Sequence, residues 1–317
     1  MNAGRPTVTV LSGGVGAAKL LTGMIRAIPP AQIAAVVNTA DDVTLHGLHV
    51  SPDLDTVTYT LAGEVNPDTG WGLVGETWQA MSMVRRYGGI DWFNLGDRDL
   101  GTHLYRTHRL GQGATLTEVT SEIVAAWDIG LAVLPVTDDP METRVTTVDE
   151  GEIGFQEYFV RRHHDVAVDA VRFSGASETT PTPAALAAIE DADVVVIAPS
   201  NPIVSIGPLL AVPGIRDALA ARRPSVVAIS GIIGGKALKG PADRLMTELG
   251  HEASVAGVAR IYRDVAATLV VDTTDADHAD SVRSTGVDCV VTDTIMSDAA
   301  AAEQLCRQIL HHAGVSP

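Results

Sequence analysis

Thr7-Val8-Thr9-Val10-Leu11-Ser12-Gly13-Gly14-Val15-Gly16-Ala17-Ala18-Lys19-Leu20 sets the fold. A β-branched run enters a glycine-rich turn and leaves it as a helical pattern, the opening of a βαβ unit. Glycines at such a turn let backbone N–H groups approach an anion, and the positive end of the following helix favours negative charge. Ser12, Gly13, Gly14, Val15 and Gly16 are therefore candidate phosphate-binding residues. The stretch fits neither standard fingerprint: Lys19 stands where a dinucleotide loop has its third glycine, and the Walker spacing fails. A tight β-to-α turn with no ligand is the plainer alternative.

Outward from this turn, Ile33 to Val37 reads as a second strand, followed by the polar turn Asn38-Thr39-Ala40-Asp41-Asp42. From Thr56 to about Trp127 the pattern is mostly helical, and Leu131 to Val136 and Arg144 to Val160 read as strands, with a hairpin around Asp149-Glu150-Gly151. The βα alternation then resumes. Strands are expected at Val194 to Ala198, Ser225 to Ser230, Ser254 to Val258, Ala267 to Asp272 and Cys289 to Thr292, and helices at Pro183 to Glu190, Ile206 to Ala221, Pro241 to Leu249, Asp277 to Thr285 and Ala299 to His312. These apolar strands lack alternation, as parallel strands covered on both faces do. The expected fold is α/β: a doubly wound, mostly parallel, Rossmann-like sheet with a mainly helical insertion. Residues 1–55 and 175–317 would form the nucleotide-binding core and 56–174 the insertion or cap.

The 317 residues carry 22 Lys+Arg against 39 Asp+Glu, a formal net charge of −17 with Lys19, Lys236 and Lys239 as the lysines. That balance argues against a nucleic-acid partner. Cys289 and Cys306 form no C-x-x-C pair, so a reducing compartment is expected and no zinc motif. Met1 to Pro6 lacks the pattern of a secretory leader and the apolar runs are strand-sized, which predicts no membrane span and a cytoplasmic protein.

Two acidic clusters flank the expected ligand crevice: Asp41-Asp42, and Ser51-Pro52-Asp53-Leu54-Asp55-Thr56. Carboxylates one residue apart suit a hard cation such as Mg²⁺ holding a diphosphate; alternatively Asp53 or Asp55 caps a helix starting near Thr56. Gly96-Asp97-Arg98-Asp99 is either a solvated, self-paired turn or a phosphate contact. Ala198-Pro199-Ser200-Asn201-Pro202-Ile203-Val204-Ser205-Ile206-Gly207-Pro208 faces the same crevice as the first loop, as a nucleotide seat or as an ordinary loop with Ser205 as N-cap. Ser230-Gly231-Ile232-Ile233-Gly234-Gly235-Lys236 again ends a strand in glycines, and three such loops imply an extended polyanionic ligand. No G-x-S-x-G elbow, H-E-x-x-H or cysteine beside a base is present, which disfavours covalent catalysis and leaves phosphoryl transfer by positioning and charge.

Taken together, Ser12-Gly13-Gly14-Val15-Gly16, Asn38 to Asp42, Ser51 to Thr56, Gly96 to Asp99 and Ala198 to Pro202 resemble the 2-phospho-L-lactate transferases (CofD/FbiA family) of coenzyme F420 biosynthesis. The likeness spans most of the chain in the right order. It implies a Mg²⁺-dependent phosphotransferase, in which the ribityl hydroxyl of the deazaflavin Fo attacks a guanosine diphosphate ester of phospholactate or phosphoenolpyruvate and GMP leaves. The product would be F420-0 or dehydro-F420-0, and the family implies a homodimer. By the same resemblance the glycine loop, Pro199, Ser200, Asn201 and Ser205 would hold the guanosine diphosphate part, with Asn38 and Asp97 also on the substrate side. Asp41 and Asp55 would hold Mg²⁺, and Asp53, Asp55 and Arg98 would meet Fo or the reacting phosphate. The alternative is a non-enzymatic nucleotide-sugar-binding regulator of the YvcK-like type, which shares a glycine-rich start. An NAD-dependent dehydrogenase, with Asp41 on the ribose, fits the lost third glycine poorly.

Overall fold

The computed structural model describes residues 7–315. The opening Met1 to Pro6, read above for a leader, lies outside the described residues. Seven strands, β1 (Val8–Ser12), β2 (Ile33–Val37), β3 (Ala132–Pro135), β4 (Val194–Ile197), β5 (Val226–Ile229), β6 (Thr268–Asp272) and β7 (Asp288–Thr292), form one sheet in the order β7-β6-β5-β4-β1-β2-β3. Every pairing in it is parallel. Val8 of β1 stands opposite Ile33 on one side and Val194 on the other. The winding reverses between β1 and β4, so the loops leaving these two strands part company and open a crevice at their carboxyl ends.

Both faces of the sheet are covered, which is why the strands read as unbroken apolar runs. Val8 and Val10 join a core with helix α1 (Val15–Ala27) and the last helix, Ala299–His312, while Leu11 faces the opposite core with helix Pro183–Asp191. Thr9, turned to that second face, donates its hydroxyl to the carbonyl of Ala188 at 2.6 Å. Where α1 crosses the last helix, Gly23 lies against the backbone of Ala302, and a Cβ there would collide with it.

Four helices, α2 (Pro52–Leu61), α3 (Gln79–Arg86), α4 (Asp99–Gly111) and α5 (Leu116–Ala126), follow β2. Strand β3 comes next, inside the stretch expected to be one insertion, and pairs with β2. The excursion from the sheet therefore falls into two pieces, a helical one before β3 and a β-rich one after it. The second piece is a three-stranded antiparallel sheet of Glu142–Thr147, Gly151–Gly154 and Val168–Ser174, with the expected hairpin turn at Gly151 (φ 76°) and a π-helical turn, Glu157–Arg161, where the strand was expected to continue.

Two further elements differ from the sequence reading. The run expected as a strand at Ser254 to Val258 is the start of a helix, Val255–Tyr262: Ser254 Oγ accepts the amide of Gly257 at 3.1 Å and caps it. The helix expected from Ile206 to Ala221 is two, Gly207–Ala211 and Ile215–Ala221, parted by Gly214 in the left-handed region (φ 91°) after Pro213. Among the described residues no helix is long and apolar enough to cross a membrane.

Candidate active site at the carboxyl edge of the sheet

The glycines after β1 are there for closeness rather than for unusual dihedrals, since none of Gly13, Gly14 and Gly16 has a positive φ. A Cβ on Gly16 would lie 2.5 Å from the carbonyl oxygen of Pro199, and one on Gly13 would lie 2.7 Å from Cβ of Ser205. The loop after β4 is thus pressed onto the loop after β1, and any side chain at these two positions would pry them apart. Gly231, after β5, sits against the same segment, its Cβ position 3.3 Å from the carbonyl oxygen of Ser200. The three strand-end loops meet at the one edge of the sheet where their positions after β1, β4 and β5 put them. Within them Ser200 Oγ is buried with no hydrogen-bond partner. No side chain caps the start of α1 and no acidic residue stands in its first turn, so its first amides have no side-chain acceptor. Asn201 holds its own loop in shape: Oδ1 accepts the amides of Ile203 (2.9 Å) and Val204 (3.3 Å). Ser12 is fully buried at the end of β1.

Next to these loops lies a cluster of carboxylates. Asn38, buried at the end of β2, accepts the amide of Ala40 at Oδ1 and donates from Nδ2 to Asp53 Oδ2, both at 3.0 Å. The other oxygen of Asp53 points at the glycine loop, 2.7 Å from where a Gly14 Cβ would be. Burial, with the nearby Asp42 charge, pushes the Asp53 carboxyl up to about 7 in spite of the Asn38 bond. Burial and the Asp53 charge raise Asp41 well above the ordinary carboxylate range, and burial raises Asp42 against the opposing pull of His49. Asp42 Oδ2 is held by His49 Nε2 (2.8 Å) and Ser51 Oγ (2.7 Å), and Gln156 Nε2 donates to the Asp41 backbone carbonyl at 2.8 Å. Asp41 Oδ1 and Asp42 Oδ1 are left buried without partners. Like charges packed this way repel unless protonated or bridged by a cation. Oxygen donors of this kind fit a hard divalent ion.

Asp55, on the first turn of α2, is occupied otherwise. Both of its oxygens accept from the buried Arg106 of α4: Nη1 to Oδ2 at 3.1 Å and Nη2 to Oδ1. His103, one turn earlier on α4, stands between Asp55 (3.7 Å) and Asp99 (3.3 Å), and the Tyr59 hydroxyl donates to Asp99 at 2.6 Å. Burial alone would raise Asp99, but His103, Tyr59 and Arg106 together bring it below the ordinary value. Ligand atoms of Asp55, Asp99 and His103 lie within 4.8 Å of one another. This trio could hold a metal ion, though Arg106 already neutralises Asp55. Neither Asp53 nor Asp55 caps α2; their carboxylates turn to Asn38 and Arg106 instead.

The Gly96-Asp97-Arg98-Asp99 turn ties two helix starts together. Asp97 accepts the amides of Gln79 (2.9 Å) and Ala80 (3.0 Å) at the start of α3, while Glu76 accepts those of Arg98 and Asp99, both at 2.8 Å, at the start of α4. Arg98 donates to the carbonyl of Val74 and pairs with Glu64 at 3.3 Å. It fastens a flap, residues 64–74, closed by hydrogen bonds from Val74 to Glu64 (2.7 Å) and from Asn66 to Gly72 (2.9 Å). The tip of this flap returns to the site: a Cβ on Gly70 would be 3.6 Å from Val15 Cγ1 and 3.7 Å from Lys239 Nζ.

The family model described as 2-phospho-L-lactate transferase CofD matches residues 8–311. The chain belongs to the 2-phospho-L-lactate transferase family of coenzyme F420 biosynthesis. It is 44% identical over 308 residues to the phosphoenolpyruvate transferase of Streptomyces griseus, covering 96% of this chain and 97% of that one. The phosphoenolpyruvate transferase of Nocardia farcinica is 43% identical over 317 residues, covering 98% and 96%. A solved structure of a Bacillus halodurans protein of the UPF0052 family aligns with a TM-score of 0.61 at 20% identity over 97% of this chain and 99% of that one, a likeness of fold. Membership in the 2-phospho-L-lactate transferase family makes the protein a transferase. Arg106 and Gln156 escaped the motif reading because each meets its partner across the fold, while His49, on the short hairpin that leads back to Asp42, and His103, four residues from Asp99 on one helix face, left only local traces.

Proposed function

We propose that this protein transfers a phosphoenolpyruvyl group from a guanosine diphosphate ester to the ribityl hydroxyl of the deazaflavin Fo, releasing GMP and giving dehydro-F420-0; a phospholactyl donor would give F420-0 by the same route. The observation that carries it is the convergence of an uncapped helix start, three strand-end loops, and one buried and two half-buried carboxylates (Asp41, Asp42 and Asp53) at the point where the sheet reverses. The phosphoenolpyruvate transferase names of the relatives support the enolpyruvyl donor. The diphosphate belongs on the Gly13 to Gly16 amides and Ser200, whose unpartnered hydroxyl asks for an acceptor or donor. Asp41 and Asp42, each with an unpaired oxygen, are the residues to hold Mg²⁺, while Asp55 supports the site from behind through Arg106.

When bound, Mg²⁺ neutralises phosphate charge and makes phosphorus more open to attack. Asp53, tethered by Asn38 and facing the glycine loop, receives the proton of the attacking hydroxyl; a carboxyl near 7 is matched to that task at neutral pH. The oxygen–phosphorus bond to GMP breaks as the new ester bond forms. Helical and aromatic residues of the piece between β2 and β3 supply the acceptor's side of the site, and its exposed apolar side chains supply a face for a second copy of the chain. Incubation with Fo, Mg²⁺ and freshly made enolpyruvyl-diphospho-guanosine tests the reading by mass spectrometry. A mass gain on Fo with stoichiometric GMP is expected; binding of the donor with no product would overturn it.

A further inference from the structure

The chain has three lysines against 39 acidic residues, and none of the three is in a hydrogen bond or ion pair within the described residues. Two of them, Lys236 and Lys239, sit on the segment that follows β5. That segment is anchored along its length. Gly231 lies against Ser200, the buried Ser230 hydroxyl donates to the Ile232 carbonyl at 2.8 Å, the Gly234 amide donates to Asp275 at 3.0 Å, and Ile232–Ile233 pairs with Lys236–Ala237. Beyond the hairpin, Gly240 packs against the Phe159 ring. The Lys239 ammonium is thereby carried to the flap tip at Gly70, which rests in turn on Val15 of the glycine loop.

We propose that Lys239 binds the diphosphate of the donor, reaching the anion past the flap tip at Gly70 beside the glycine loop. Three facts favour this position over other cations. Arg98, the arginine that the motifs single out, spends its donors on Val74 and Glu64 and fastens the flap. An anion brought beside Asp41, Asp42 and Asp53 meets a negative field that backbone amides alone offset poorly, so a full positive charge at the rim is needed. An unpaired lysine breaks no existing ion pair on binding, and its point charge adapts to whichever phosphate oxygen is presented. The identity of the anion rests on the transfer reading above; the placement of the ammonium does not.

The test is calorimetric titration of the full chain with magnesium pyrophosphate, run beside the transfer assay. Lys239→Gln should weaken pyrophosphate binding about tenfold, the loss of one charge-assisted hydrogen bond. Lys239→Arg, which keeps the charge, should stay within about threefold of the parent. Lys236→Gln removes the same net charge from the same segment and should change affinity by less than about twofold, which separates a contact from the general field. Equal affinity in parent and Lys239→Gln, an equal loss in Lys236→Gln, or a parent that binds no pyrophosphate would each overturn the assignment. A parent that transfers nothing to Fo, yet binds pyrophosphate in a Lys239-dependent way, would remove the proposed reaction and leave Lys239 as an anion-binding residue.

Discussion

Burial, helped by the Asp42 charge, lifts the Asp53 carboxyl to about 7 against the hydrogen bond from Asn38, and Gly14 leaves room for its second oxygen. A carboxyl whose proton is held more tightly in the folded chain than in the unfolded one weakens the fold once both have the chance to ionise. Stability conferred by that proton is complete near pH 4, declines as pH rises, and is gone above about 7. Metal-free Asp53→Asn should therefore melt about 2 °C above the parent at pH 8, the gap closing towards pH 4. Millimolar Mg²⁺ should raise the melting temperature of the parent more than that of the variant, while transfer is lost. A gap that does not change with pH, measured by calorimetry, would mean that Asp53 carries no such penalty. Much at this scale was legible in the sequence: the glycine loop, Asp41 and Asp53 declare themselves by short-range pattern and by position at strand ends. Arg98 was singled out by its motif, but its partners were not, because an arginine between two aspartates says nothing of which distant carbonyl and carboxylate its fork will reach. Arg106 was invisible for the same reason, standing 51 residues from Asp55.

Helix α4 is bound to helix α2 through charge rather than through apolar packing alone, with Arg106 and Asp55 both almost fully removed from water. Removing one partner leaves an uncompensated buried charge, which costs far more than the pair contributes. Arg106→Met should cost about 3–5 kcal/mol in denaturant unfolding, and the double variant Asp55→Leu, Arg106→Met should recover most of it. If the double variant folds and still turns over, Asp55 is a strut; if it folds and is dead, Asp55 also serves the chemistry. Elements were read well where a pattern ran long. The strands of the sheet show this, as does the last helix. Short apolar runs were ambiguous, and at Ser254 the same five residues satisfy a buried strand or the first turns of a helix until the cap and the following Tyr262 are taken into account.

At the scale of the molecule, the doubly wound order of the sheet followed from alternating strands and helices, but the place of β3 did not. The strand itself was read, at Leu131 to Val136, but its own residues do not say that after four helices the chain returns to pair it with β2. Among the described residues, eight of the thirteen large apolar side chains left exposed fall between residues 71 and 105, Tyr87 at 77% and Leu104 at 57% among them. Such a concentration is the surface that the proposed dimer would cover. Sedimentation equilibrium should give twice the 33.1 kDa chain mass, and Tyr87→Glu with Leu104→Glu should give the single mass; a parent that sediments as one chain would refute the proposed dimer. A different consequence follows from Gly23 lying on Ala302. The helix that carries the glycine loop leans, at that crossing, on a helix that comes after every strand of the sheet. The sheet and α2 cover the rest of its apolar face. Full seating of α1, and with it the close approach of the glycine loop to the loop after β4, therefore depends on residues from distant parts of the sequence having met, a late event in folding rather than a local one.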